Sequence, residues 1–279
     1  MIVRTFIILV LLALSAFLSQ AWAFAFFVFE NSSLVGKDQG VPVVWHEQSV
    51  AFGIGITDLN HQIDIIDALD EWNSAGTNID IVQGQNFASP CAENDALNSI
   101  GLTQNNCGLA WGDAIGLTQV RAISTPSETY IIETDIRLRD FASEPNNHWT
   151  QSTDPLLLND RSCYPNNQGG ITCEFYRVVL HELGHAIGLE HPDEVGQQVD
   201  AVMNSGVTSN ATPRNLSADD INGAKLIYEN IGSVVDGRSG VVTSDSRLQR
   251  DKVSSGSWGL HALLFLFAIL VLRILRKQT

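Results

Sequence analysis

The chain has 279 residues, 44% of them apolar, enough for one domain with a substantial core and terminal appendages. All 31 Asp and Glu lie between residues 24 and 257, where 12 Lys and Arg offset them to leave a net charge of −19. A surface of that sign repels phosphate backbones, which excludes nucleic acid as a partner; it serves solubility first, and it favours calcium, which takes several oxygen ligands.

Residues 1–23 read as an export signal, with Arg4 as the only charge, an apolar run from Phe6 to Leu18 and the small-x-small cleavage pattern Ala21-Trp22-Ala23. Apolar residues continue to Phe29, so a retained anchor is the other reading, and both deliver the chain outside the cytoplasm. Residues 24–40 are a short lead without a propeptide-sized domain. Val41-Pro42-Val43-Val44-Trp45 predicts a first strand, with Pro42 tolerated near its start. From Asn60 to Asn73 the spacing of Ile63, Ile66 and Leu69, with Ile65 and Trp72, predicts an amphipathic helix packed on a sheet. Asp64, Asp67 and Asp70 are expected on its solvated face, and His61 near its start as a surface histidine.

Ile79–Val82 and Ile115–Val120 alternate as strands do, and Tyr130–Leu138 is the strongest strand signal. Along it Ile132, Thr134, Ile136 and Leu138 share one face, and Ile131, Glu133, Asp135 and Arg137 share the other. Residues 140–173 read as a long loop that leads into the next helix and overhangs its cleft. The cysteines Cys91, Cys107, Cys163 and Cys173 all lie in the exported portion, and an even number there argues for two disulfides. Of the three pairings, Cys91–Cys107 and Cys163–Cys173 are favoured because each closes a short loop; neither pair has metal-ligand spacing.

A helix beginning at Glu174 and Phe175 carries the stretch His181-Glu182-Leu183-Gly184-His185-Ala186-Ile187-Gly188-Leu189-Glu190-His191. Residues four apart share a helix face, so His181 and His185 can offer two nitrogens to one zinc, and Glu182 can reach a water on it. Gly188 permits a turn that brings His191 back as a third ligand. Three protein ligands leave one position open, which is the catalytic rather than the structural arrangement of zinc. Twelve residues on, Met203 sits in the turn-prone segment Asp200–Gly206, and following the histidine motif it reads as a Met-turn flooring the site. In Asn215–Tyr228, Ser217 is a good N-cap and Asp219 and Asp220 set negative charge against the positive end of a last helix.

These residues resemble a metzincin metalloprotease of the matrixin branch, most strongly over 177–228 and more weakly over 41–140. The resemblance rests on the histidine motif, the Met-turn and the Leu216-Ser217-Ala218-Asp219-Asp220-Ile221-Asn222-Gly223 opening of the last helix. It implies an α+β fold: a twisted mixed sheet of about five strands, an active-site helix, a second packing helix and a C-terminal helix. It also implies catalytic Zn2+ on His181, His185 and His191, Glu182 as general base, structural Ca2+ without ligands nameable here, and an edge strand within Leu109–Val120 that pairs with an extended peptide. A structural zinc on His148 would also follow from it, but no second histidine lies nearby and a surface role is preferred. Two departures stand out: the Met-turn continues into Asn204-Ser205 rather than Tyr-Pro, so it offers no fifth tyrosine ligand, and no Pro-Arg-Cys-Gly latency motif precedes the domain.

The expected organisation is therefore a signal over 1–23, a catalytic domain over 24–230, a Gly- and Ser-rich tether over 231–257, and an apolar segment with a basic end over 258–279. From Trp258 to Leu272 the run is interrupted only by His261; it falls short of the ~20 residues that span a bilayer, and Arg273, Arg276 and Lys277 stay cytoplasmic. Two readings of this tail stand: a sorting signal cut by a membrane protease, or a plain membrane anchor. The leading function is a zinc endopeptidase acting on protein or peptide substrates, secreted or held at the outer face of the cell envelope. The alternatives are a binding or adhesion module on a metzincin scaffold that has lost catalysis, and a zinc amidase acting on a non-protein amide.

Overall fold

The computed structural model describes residues 25–26, 28–29, 41–124, 129–151, 161–195, 197–205 and 213–229. The expected signal, tether and C-terminal apolar segment lie outside them. Among the described residues no helix is long and apolar enough to cross a membrane.

The fold is α+β. In chain order the elements are β1 (Val44–Trp45), β2 (Ser49–Ile54), α1 (Leu59–Ser74), β3 (Asp80–Gly84), β4 (Asn98–Thr103), β5 (Gly116–Ser124) and β6 (Thr129–Arg139). They continue with β7 (His148–Thr150), β8 (Cys163–Pro165), β9 (Ile171–Glu174), α2 (Phe175–Ala186) and α3 (Ala218–Glu229). The main sheet runs β1-β6-β4-β2-β3 in parallel, and β5 lies antiparallel on β6 along nearly its whole length. Within it β2, α1 and β3 form a βαβ unit, the crossover that parallel neighbours require. Nearer the N-terminus, Ala25–Phe26 pairs antiparallel with Leu189–Glu190, and Val28–Phe29 with Val41–Pro42.

Asp58 starts α1, its carboxylate accepting from the backbone N–H groups of Asn60 and His61, both at 3.0 Å. The helix buries Ile65, Ala68, Leu69 and Trp72, the i, i+3, i+4, i+7 set. That corrects the expected face: Ile63 and Ile66 are exposed, at 47% and 36%, while Asp64 is half-buried. Burial first, then the neighbouring Asp67, pushes the Asp64 carboxyl up to about 6. His61 is half-buried too, stacked on Phe175 with centroids 4.1 Å apart, rather than a surface residue.

The alternation of β6 also resolves differently from expectation. Its Thr134–Ile136–Leu138 face is buried, and so are Glu133, Asp135 and Arg137 on the opposite face. Glu133 accepts from the N–H groups of Asn94 and Ala96 at 3.0 and 2.8 Å and from Arg121 at 3.1 Å. Arg137 donates to Asn106 and Gln119 side chains at 2.7 Å each. Burial, followed by the charges of Glu133 and Asp95, pushes Asp135 up to about 7. The segment between β3 and β5 thus covers the face that alternation assigns to solvent, and β4 within it is a strand that the sequence pattern did not reveal.

Cys91 is bonded to Cys107 in that segment, and Cys163 to Cys173 between β8 and β9. The second bond staples a three-stranded sheet, β7-β9-β8, so the described part of 140–173 is not the structureless loop expected.

Almost every residue of α2 is buried, charged ones included. A helix buried all round must satisfy its polar groups internally. At its start Glu174 makes ion pairs with Arg177 at 2.9 Å and with Arg214 at 2.6 Å. At its end the Trp45 indole N–H donates to Ala186 O and the Tyr228 hydroxyl to Ile187 O, both at 2.8 Å, occupying carbonyls that a helix terminus otherwise leaves unpaired. The Trp72 indole N–H donates to Leu180 O at 2.8 Å in the middle of the helix, locking α1 to it.

Candidate metal centre

The two ends of α2 are pinned, so the direction in which its polar face points is pinned as well. His181 and His185 project from one face, and their Nε2 atoms are 3.1 Å apart. Gly188 follows with φ +105°, a left-handed conformation that side-chain-bearing residues resist, and a Cβ there would lie 2.6 Å from Val43 O. The reversal sets His191 Nε2 at 3.0 Å from both of the other two.

Each ring is oriented through its other nitrogen. His181 Nδ1 lies 2.7 Å from Val202 O, His185 Nδ1 2.8 Å from Leu189 O, and His191 Nδ1 3.2 Å from Glu194 Oε1. Carbonyl and carboxylate oxygens only accept, so Nδ1 carries the proton in each ring and Nε2 is left with a lone pair. Burial, and then the neighbouring His181 and His191 rings, hold His185 well below the usual histidine pKa, which favours that neutral form. Three lone pairs facing one another at such distances repel unless a cation lies among them. A triangle with sides of 3.0–3.1 Å accommodates an ion at the ~2.0–2.1 Å typical of zinc–imidazole bonds. The donor set therefore fits zinc, with the partners on Nδ1 supplying the second layer that such ligands require. Among the described residues this is the one group of His, Cys, Asp or Glu side chains at metal-binding spacing. His148 stands apart, half-buried in the β7–β9–β8 sheet with its Nε2 3.4 Å from Asn166 Nδ2.

Glu182 is buried beside His181, and burial raises its pKa; the adjoining His181 ring, the Thr118 hydroxyl and Arg137 pull the other way. Thr118 Oγ1 is 2.7 Å from Glu182 Oε2. Met203 is buried beneath α2, and the N–H groups of Val202 and of Met203 itself donate to Asp220 at 2.9 and 3.1 Å. Ser217 caps α3 through its hydroxyl, which accepts from Asp219 N and Asp220 N, and its own N–H donates to Asp220 Oδ2 at 2.8 Å. Asp220 is thus more than charge at a helix end: it ties α3 to the turn that floors the histidines. Asp193 anchors the far side of that turn by accepting from Ser205 N and Ser205 Oγ.

Asp193, Glu194, Thr118 and the bridging role of Asp220 were not read from the sequence. For Glu194 a signal existed, since a carboxylate three residues past a ligating histidine can reach its free ring nitrogen. For Thr118 none did, because its partner lies 64 positions away.

Gly184 shows how tightly the floor is packed. In a helix interior Ala is normally favoured over Gly by about 1 kcal/mol. Here a Cβ would overlap Met203 Sδ and approach Trp72 Cζ2 to 2.9 Å. Gly184→Ala should therefore destabilise the metal-free protein by about 1–3 kcal/mol in urea unfolding; an unchanged or higher midpoint would contradict this packing.

The family model for matrixin, a peptidase of the M10 type, matches residues 128–229. Among solved structures, the chain is similar to high choriolytic enzyme 1, a hatching-enzyme zinc protease from the medaka fish Oryzias latipes. The identity is 12% and the TM-score 0.34, over 73% of this chain and 98% of that one. No curated protein sequence matches. The matrixin match runs from the start of β6 through the three histidines to the end of α3, the elements that build and floor the site, and over residues 128–229 the chain is matrixin-like.

Proposed function

We propose that the chain is a zinc endopeptidase in which His181, His185 and His191 hold the metal and Glu182 is the general base. The observation that carries this reading is the set of three Nε2 lone pairs aimed at one point, each ring tied through Nδ1, with a buried carboxylate on the adjoining residue. Bound there, zinc supplies a Lewis acid and brings the pKa of a water toward ~7. Glu182 takes a proton from the attacking water, so that a water O–H bond breaks as the carboxyl O–H forms, and later delivers that proton to the departing amine nitrogen. His181 and His185 stay fixed by Val202 O and Leu189 O throughout.

The substrate in this reading is an extended peptide. Among the described residues β5 is bonded only to β6, so its other edge offers unpaired main-chain groups beside Glu182, and an extended chain binds such an edge by strand addition. The export signal, the two disulfides and the apolar, basic-ended tail support a location at the outer face of the cell envelope.

The test is zinc analysis of the full chain, purified in mild detergent, together with digestion of a mixed peptide library with and without a chelator. About one zinc per chain and cleavage that stops on chelation and returns with zinc are the expected results. Zinc without any cleavage would favour the binding-module alternative, and cleavage confined to non-peptide amides the amidase.

A further inference from the structure

The edge strand does more than border the cleft. Gly116 and Thr118 are two residues apart, so they share a face of β5, and both meet the Glu182 side chain. Thr118 Oγ1 lies 2.7 Å from Oε2 and 3.0 Å from the main-chain oxygen of the same residue. A hydroxyl has one proton to give, and the shorter, charge-assisted bond to the carboxylate takes it. Threonine is stiff about χ1, so its Oγ1 is held where the backbone of β5 sets it. On the other side of the carboxylate, a Cβ at Gly116 would lie 2.5 Å from Oε1, 2.8 Å from Cγ and 2.9 Å from Cδ, so the Glu182 side chain fills the space that glycine leaves.

We propose that Gly116 and Thr118 are positioning residues for Glu182: the glycine makes room for its carboxylate, and the threonine hydroxyl fixes the rotation of that carboxylate by holding Oε2. Both residues belong to the strand on which substrate would lie, so the peptide and the base are referenced to one rigid element. This rests on the zinc-peptidase reading for its catalytic consequence, whereas the contact itself does not depend on that reading. The consequence is large because displacing a reacting group by about 1 Å costs on the order of 10²-fold in rate.

The experiment uses the full chain and the variants Thr118→Val, Thr118→Ser, Gly116→Ala and Glu182→Ala. Thr118→Val, which keeps the shape and removes the hydroxyl, should retain zinc and leave KM within about twofold while kcat falls roughly tenfold. Thr118→Ser should recover kcat to within about threefold of the parent. Gly116→Ala should lower kcat by at least as much as Thr118→Val, and the double variant should lose little more than the worse single one, since both act through one carboxylate. A second readout needs neither zinc nor turnover: in urea unfolding of the metal-free chain, Thr118→Val and Glu182→Ala should be non-additive. Additive effects would overturn the contact. An unchanged kcat in Thr118→Val, or a loss carried entirely by KM, would overturn the positioning role. A parent chain that binds zinc yet cleaves nothing would sink the enzymatic reading and the catalytic half of this proposal with it, while coupling in the metal-free cycle would still support the contact.

Discussion

Glu182→Gln should retain a full complement of zinc and lose turnover by a factor on the order of 10²–10⁴, the range that a positioned general base contributes. Glutamine has the same shape, and its amide oxygen can still accept from the Thr118 hydroxyl, so the local structure has no reason to move. What it lacks is a lone pair basic enough to take a proton from water. The site is buried, and an amide costs less to bury than a carboxylate, so the melting temperature of the metal-free chain should not fall. Peptide cleavage at the parent rate, measured on a preparation whose zinc content has been verified, would remove Glu182 from the mechanism. Loss of zinc along with activity would instead make Glu182 part of the metal's support.

The second large effect is expected from His185→Ala. This is the most deeply buried of the three rings, 8% exposed, and its removal opens the metal to water, breaks the triangle and leaves Leu189 O without its ring partner. Zinc should fall far below one per chain after dialysis. The stability that binding adds should fall with it, about 4 kcal/mol if the parent is measured at a free zinc concentration a thousand times its Kd. In the metal-free state the difference between variant and parent should shrink to the local cavity and hydrogen-bond loss, so a comparison with and without zinc separates the two contributions. Zinc near one per chain in the purified variant would contradict the role of this residue.

The motif helix was legible because its chemistry is local. His181 and His185 are one helical turn apart, Gly188 and His191 follow within six residues, and no distant partner is needed to see that they converge. The N-cap of α3 and the short-loop cysteine pairs are legible for the same reason. Elements whose pattern depends on distant neighbours were harder to read. Strand β4 lies inside a parallel sheet with Ser99, Ile100 and Gly101 all buried, so the alternation that marks a half-exposed strand fades there. On α1 two apolar sets overlap, and packing against α2 selects the one containing Ala68, a residue that hydrophobicity alone ranks below Ile63 and Ile66. Glu133 reads as a solvated strand residue until its partners, Asn94 and Ala96, arrive from nearly forty positions away.

By itself, then, the amino-acid order determined which three histidines converge, two on one helix and the third past a glycine turn, and the character of a matrixin-like domain, because periodicity and turn chemistry act over a few residues. Only the tertiary structure decided what surrounds them: Val202 O and Glu194 on the rings, Asp220 beneath the turn, and Gly116 and Thr118 against the carboxylate. Most of those contacts join residues far apart in the chain, and it is the burial of α2, held at both ends by side chains from other elements, that brings them within bonding distance.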